Sequence, residues 1–170
     1  DSTILLDKED YEPICAERKI KDKYVLMFGW NTNTDLVEAA KMVSARLGLP
    51  VYNIVPPPRK MFCGIPRRLD VGPCEFLSMI KNAEFVVTNS FHGTAFSTTF
   101  EKPFVSVVTG KADTRMYSLL DQLGLSDHLV TKDQINIDKM LVTDFSCVRE
   151  RKSALRKTSL DFLQNSLKGL

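Results

Sequence analysis

One histidine in this chain stands where it could move a proton beside a bound anion. His92 lies in the run Thr88-Asn89-Ser90-Phe91-His92-Gly93-Thr94. Before that run comes apolar Phe85-Val86-Val87. After it come a helix-length piece, Lys102-Pro103 and apolar Phe104 to Val108. Imidazole titrates near neutrality, so it can take up and return a proton at ordinary pH. Gly93 follows at once and Thr94 begins a helix; the N–H groups at a helix start attract anions, phosphate above all. Asn89, Ser90 and Thr94 add side-chain donors. These residue types in this order describe an anion cradle with a titratable ring beside it, which suits acid–base work on a phosphate-bearing substrate.

Cations of the kind such a substrate needs occur in two places. Lys111 and Arg115 follow the run Phe104 to Val108. Lys111 falls at the carboxyl end of that strand, on the rim His92 shares. Arg115 falls in the first turn of a helix, where a cation opposes the helix dipole, so its place argues for a task. Arg59, Lys60, Arg67 and Arg68 make the stretch after Pro56-Pro57-Pro58 the most basic loop. An arginine presents a planar fork to phosphate or carboxylate. Both groups also read as solvated surface. The chain has no GxGxxG, no GxxxxGK[ST] and no GxSxG, so dinucleotide, P-loop and serine-elbow chemistry are not indicated.

The elements that must position these residues follow from periodicity. Tyr24 to Phe28 reads as a buried strand ended by Gly29. Asn31 to Thr34 offers helix caps; Leu36, Ala40, Val43 and Leu47 then recur at helical spacing, and Gly48 and Pro50 stop the helix. Val51 to Val55 is a second strand. Gly72-Pro73 opens a helix with Phe76, Leu77, Ile80 and Ala83 on its buried face. Phe96, Thr99 and Phe100 read as core. Asp113 can cap a helix carrying Met116, Leu119, Leu120 and Leu123, and Leu129-Val130 is a last short edge strand. Strands alternating with helices predict an α/β fold: a Rossmann-like three-layer α/β/α sandwich with a mostly parallel sheet. Residues 1–22 read as an inter-domain linker, with Ile4-Leu5-Leu6 an edge strand or anchor. Residues 23–145 form the domain. Residues 146–170 are an amphipathic helix with Val148, Leu155, Leu160, Leu163 and Leu167 as packing positions, set on the domain or towards a missing N-terminal domain.

Composition narrows the classes. At 170 residues there is room for one ordinary domain, and a net charge of +2 gives no argument for nucleic acid. No apolar run approaches the roughly 18 residues of a membrane span. The chain opens Asp1-Ser2-Thr3-Ile4 without a basic start or a Met, which fits a cytoplasmic piece of something longer and no signal peptide. Cys15, Cys63, Cys74 and Cys147 make no CxxC pair, and the histidines are only His92 and His128, so buried free thiols and no metal site are expected.

The run Gly72-Pro73-Cys74-Glu75-Phe76-Leu77 through Ile80-Lys81-Asn82-Ala83, then Val86 to Ser97, resembles the polysaccharide pyruvyl transferase family. Lys102-Pro103-Phe104, Arg115-Met116 to Leu125, and the opening Asp1 to Lys8 fit it too. The resemblance implies two Rossmann-like domains, similar to the GT-B glycosyltransferases, with this chain the C-terminal half and its last helix leaning back towards the other. It implies transfer of a pyruvyl group from phosphoenolpyruvate to sugar hydroxyls as a ketal, with release of phosphate, in exopolysaccharide or cell-surface polysaccharide synthesis. The acceptor would be a glycan or lipid-linked sugar, no cofactor is needed, and the place is the cytoplasm, including the inner face of the membrane. His92 then carries protons; Asn89, Ser90, Gly93 and Thr94 line the cradle; Lys111 and Arg115 hold phosphate or carboxylate, with Arg59, Arg67 and Arg68 as further cations.

One departure stands out. Some branches of the family carry an arginine two residues before the histidine, where this chain has Ser90. A GT-B glycosyltransferase using a nucleotide sugar is the competing enzyme reading, but Phe96 stands where such domains place an acid for the ribose. A non-catalytic binding or scaffold domain is the third reading, and in isolation the domain is expected to be inactive.

Overall fold

The computed structural model describes residues 2–29, 33–54, 64–66, 68, 70–108 and 114–168. The apolar runs become strands: β1 (Val25–Phe28), β2 (Val51–Asn53), β3 (Phe85–Thr88), β4 (Phe104–Val107) and β5 (Leu129–Val130). They form one parallel sheet in the order β2-β1-β3-β4-β5. Val25 pairs with Val51 on one side and Phe85 on the other, and Val86 pairs with Phe104. The central strands are rich in Val and Phe because both sheet faces are covered.

The described helices are α1 (Lys8–Tyr11), α2 (Thr34–Leu47), α3 (Pro73–Asn82), α4 (Phe91–Thr99), α5 (Thr114–Leu123), α6 (Ile137–Leu141) and α7 (Phe145–Leu167). Local chemistry sets their ends. Asn33 caps α2 by accepting the Leu36 N–H at 2.8 Å, and Gly48 closes it at φ 66°, a left-handed conformation that a side chain would resist. Pro73 opens α3, and Glu75 reaches back to the Gly72 N–H at 3.1 Å.

Alternation along the strands divides the core. Val25, Met27, Phe85, Val87, Val105 and Val107 face α2 and Met140 of α6. Leu26, Val86 and Phe104 face α3, α4, α5 and Val148 of α7. The chain runs from β1 out to β2, then crosses back to β3 and onward. The order therefore reverses between β1 and β3, which opens a crevice at their carboxyl ends, the place where such sheets take ligands.

Several expectations meet the structure differently. Ile4 to Leu6 is not a strand: a 3-10 turn spans Ser2–Ile4, because this segment lies on helices and has no strand to pair with. The leading segment packs on the domain, burying Tyr11, whose ring packs on Phe96 at 5.1 Å and whose hydroxyl donates to the Thr3 carbonyl. Leu160, Leu163 and Leu167 are exposed while Val148 is buried and Leu155 half-buried, since α7 outreaches the elements it packs on. Cys74 and Cys147 are exposed and Cys15 half-buried; Cys63 and Asp113 lie outside the described residues. Phe96, Thr99 and Phe100 are core residues as expected. Among the described residues no helix is long and apolar enough to cross a membrane.

Candidate functional site

α4 is buried along its whole length except at one position. Phe91 and Gly93 to Thr99 are all buried, and His92 alone is exposed. A helix holding so many hydroxyls can be buried because those hydroxyls are spent inside it. Ser97 donates to the Gly93 carbonyl at 2.7 Å, Thr98 to Ala95 at 2.7 Å, and Thr94 to Ser90 at 3.0 Å.

Two strand ends fix the first turn of α4. Thr88, last in β3, accepts the Ser90 N–H at 3.0 Å through its hydroxyl. Ser106 of β4 lies 2.7 Å from the Thr94 hydroxyl. Gly93 lets the helix settle onto the sheet: a Cβ there would sit 2.2 Å from Thr88 Oγ1 and 3.0 Å from the Phe28 ring. Gly29, just after β1, is packed equally closely, its would-be Cβ 2.3 Å from Asn89 Oδ1. Asn89 thus bridges the ends of β1 and β3, at the sheet's point of reversal. Ser90 places no side-chain cap on α4, so the opening amides of the helix are not taken up by it.

Arg115 comes to the same rim from α5. Its guanidinium stands over the Phe91 ring, 5.1 Å from the centroid, and Phe91 meets the His92 ring edge-on at 5.6 Å. Phe91 is buried while His92 and Arg115 are exposed. The aromatic ring therefore sets the imidazole and the guanidinium around a common apolar post. Chemically the rim can offer an imidazole for proton transfer and a guanidinium cation.

The residues expected to bind substrate divide accordingly. His92 and Arg115 each contact Phe91, and half-buried Asn89 lies three residues before His92. Thr94 is fully buried and its hydroxyl bonds inward, so it anchors the helix and does not line a cradle. Ser90 is 7% exposed and its N–H is held by Thr88. Gly93 acts as the close-packing residue. Arg68 points elsewhere: it stacks on Tyr52 at 5.7 Å, pairs with Asp70 at 3.6 Å, and lines a small cavity with Tyr24 and Ser78. Lys111, Arg59, Lys60 and Arg67 lie outside the described residues.

Sequence reasoning did not single out Thr88, Ser106 or Phe91. Ser106 had a signal, being the lone polar residue in Phe104-Val105-Ser106-Val107. Phe91 had none, because only the fold brings Arg115 over its ring. The other histidine is structural: His128 is 3% exposed, with Nδ1 2.9 Å from the Phe104 carbonyl. Burial depresses its pKa, against the pull of that carbonyl and of Asp127. Among the described residues no group of three or more His, Cys, Asp or Glu is placed to hold a metal.

The family model described as polysaccharide pyruvyl transferase matches residues 1–110. No curated protein matches the chain. Among solved structures, a UDP-GlcNAc 2-epimerase from Methanocaldococcus jannaschii, in complex with UDP-GlcNAc and UDP, is similar with a TM-score of 0.54 at 14% identity; the match covers 85% of this chain and 43% of that one. The glycotransferase of kitacinnamycin is similar with a TM-score of 0.52 at 16% identity, covering 84% and 40%. At such identities the similarity shows the fold, a Rossmann-like domain of GT-B type. The chain spans less than half the length of either structure.

Proposed function

The chain belongs to the polysaccharide pyruvyl transferase family, and from that membership we propose that it is one lobe of an enzyme moving pyruvyl from phosphoenolpyruvate to two hydroxyls of a sugar. The other lobe would be an N-terminal domain, the acceptor a glycan or lipid-linked sugar, and the setting polysaccharide synthesis in the cytoplasm, including the inner face of the membrane.

The reaction's balance says what the site must supply. Two C–O bonds form between sugar oxygens and the enol carbon, and the C–O bond to phosphate breaks. Two hydroxyl protons are released; one ends on the CH2 carbon, making a methyl, and one ends on phosphate. A group that takes a proton and gives it back is therefore needed, together with cations for a phosphate and a carboxylate. In this reading His92 carries that proton, and Arg115 and Asn89 receive an anion, with Lys111 as a further cation.

The observation that carries this reading is that His92 is the one exposed residue of an otherwise buried helix, with Arg115 over the ring of the neighbouring Phe91. A nucleotide-sugar donor fits less well: α4 holds no carboxylate for a ribose, Phe96 is 8% exposed, and Glu101 is engaged by Lys8 and Arg149. The test is phosphate release from phosphoenolpyruvate by the full-length protein across a panel of sugar acceptors. Release is expected, and His92→Ala should lower it by ~100-fold or more. No release with any acceptor, or a near-normal rate in the variant, sinks the proposal.

A further inference from the structure

Lys152 is a buried cation with no part in the site described above. It is 7% exposed, and its ammonium has three acceptors: the Leu6 carbonyl at 2.8 Å, the Thr99 hydroxyl at 3.3 Å and the Asp7 carboxylate at 3.4 Å. Two of the three come from the leading segment and one from the C-terminal end of α4. The other Asp7 oxygen is taken by Arg156. Close by, Glu101 receives Arg149 at 2.6 Å on one oxygen and Lys8 at 3.3 Å on the other. Glu101 is also the non-glycine residue with positive φ among those described, at 54°. A left-handed conformation there costs about 1–2 kcal/mol and persists only where its surroundings hold it.

Two chains of charge result, Arg156–Asp7–Lys152 and Lys8–Glu101–Arg149. Each joins segments far apart in sequence. Ion pairs on a surface would contribute little, but a lysine taken out of water must have its acceptors in place. With two of those acceptors on Leu6 and Asp7, the first half of α7 can seat itself only where the leading segment already lies. Beyond Arg156 residues 157–168 are exposed throughout, an arm about 18 Å long.

We propose that the leading segment and the first half of α7 form a single strap, buckled at Lys152 and Glu101, that grips the C-terminal end of α4 and carries the rest of α7 as a lever. His92 sits at the opposite end of that same helix. Movement of the arm would therefore reach the site helix through Lys152 and Glu101. This device stands on the ion-pair geometry and is independent of the reaction proposed above.

Hydrogen exchange of the whole chain tests it. Asp7→Asn should speed amide exchange in residues 2–11 and 149–160 by about ten-fold or more, the effect of losing ~1.4 kcal/mol, while β1 and β3 stay protected. Lys152→Met should do the same to residues 2–11. Asp138→Asn, which breaks the exposed Arg46–Asp138 pair elsewhere, should change neither segment. Unaltered exchange in both strap variants overturns the proposal. So does a uniform rise that includes the strands, which would mean a general loss of stability and no strap.

Discussion

The hydroxyls of Thr94 and Ser106 meet 2.7 Å apart, and both residues are fully buried. Thr94 has one hydrogen, and giving it to the Ser90 carbonyl leaves Ser106 as the donor between them. This pair pins the first turn of α4, and hence His92, to the end of β4. Thr94→Val strands the Ser106 hydroxyl in the core and should destabilise by about 1–3 kcal/mol. Ser106→Ala leaves Thr94 its bond to Ser90 and should lose only about 1 kcal/mol. The double variant should fall short of the sum, because no stranded group remains. Urea unfolding of the four proteins measures the coupling; strict additivity would mean the two hydroxyls do not depend on each other.

Gly93→Ala pits two known effects against each other. Alanine in a helix interior gains up to ~1 kcal/mol over glycine. Its methyl, however, would lie 2.2 Å from Thr88 Oγ1 and 2.9 Å from Thr88 Cβ, which cannot turn away without moving β3. Overpacking of that kind typically loses about 1–3 kcal/mol. The clash should win, and thermal unfolding should show a lower Tm. A Tm at or above that of the native chain would show that α4 can lift off the sheet cheaply.

Much of this arrangement was legible in the chain's residues, and the limits are physical. Continuous apolar runs and the 3.6-residue period located the strands and helices, and Gly29 and Gly48 marked real ends. The position of His92 at a strand-to-helix turn followed from pattern alone, since βαβ connectivity leaves few alternatives. What a local pattern could not carry was direction. Thr94 is polar and adjacent to His92, so it looks like a donor, yet at its helical position it faces Ser106. Arg68 looked like a substrate cation until Tyr52 was found under it. Leu160, Leu163 and Leu167 continue the apolar stripe of α7, but a stripe says nothing of whether a surface lies opposite.

Acid should weaken the fold through His128 first. Burial holds its pKa below the usual 6.5, so the unfolded chain binds the proton more readily than the folded one. Stability is then fully present above about pH 6.5 and declines as pH falls towards the folded-state value. Its Nδ1–H donates to the Phe104 carbonyl, and the Thr143 hydroxyl lies 3.1 Å from Nε2. That hydroxyl can turn to the Met140 carbonyl at 2.9 Å when Nε2 gains a proton, which limits the loss. Urea midpoints at pH 7.5 and pH 5.5 should differ more for the native chain than for His128→Gln. Equal differences would place the acid sensitivity in other groups.

The two halves of α7 should answer very differently to truncated side chains. Val148 is 3% exposed against α5, and Val148→Ala removes two methyl groups from that contact. A loss of roughly 2 kcal/mol is expected from transfer and the small cavity together. Leu163 and Leu167 are 43% and 66% exposed, so Leu163→Ala with Leu167→Ala should change stability by less than about 0.5 kcal/mol. Circular dichroism should stay unchanged in the second variant, since alanine favours helix at least as well as leucine. The arm itself is too short to be a stable helix alone; isolated helices under ~12–15 residues are marginal in water. Its helicity is therefore lent by the packed half, and Val148→Ala should fray the arm before the sheet unfolds. If Leu163 and Leu167 proved as sensitive as Val148 in this chain, the arm would have to pack on a surface of its own domain, against the exposure described above.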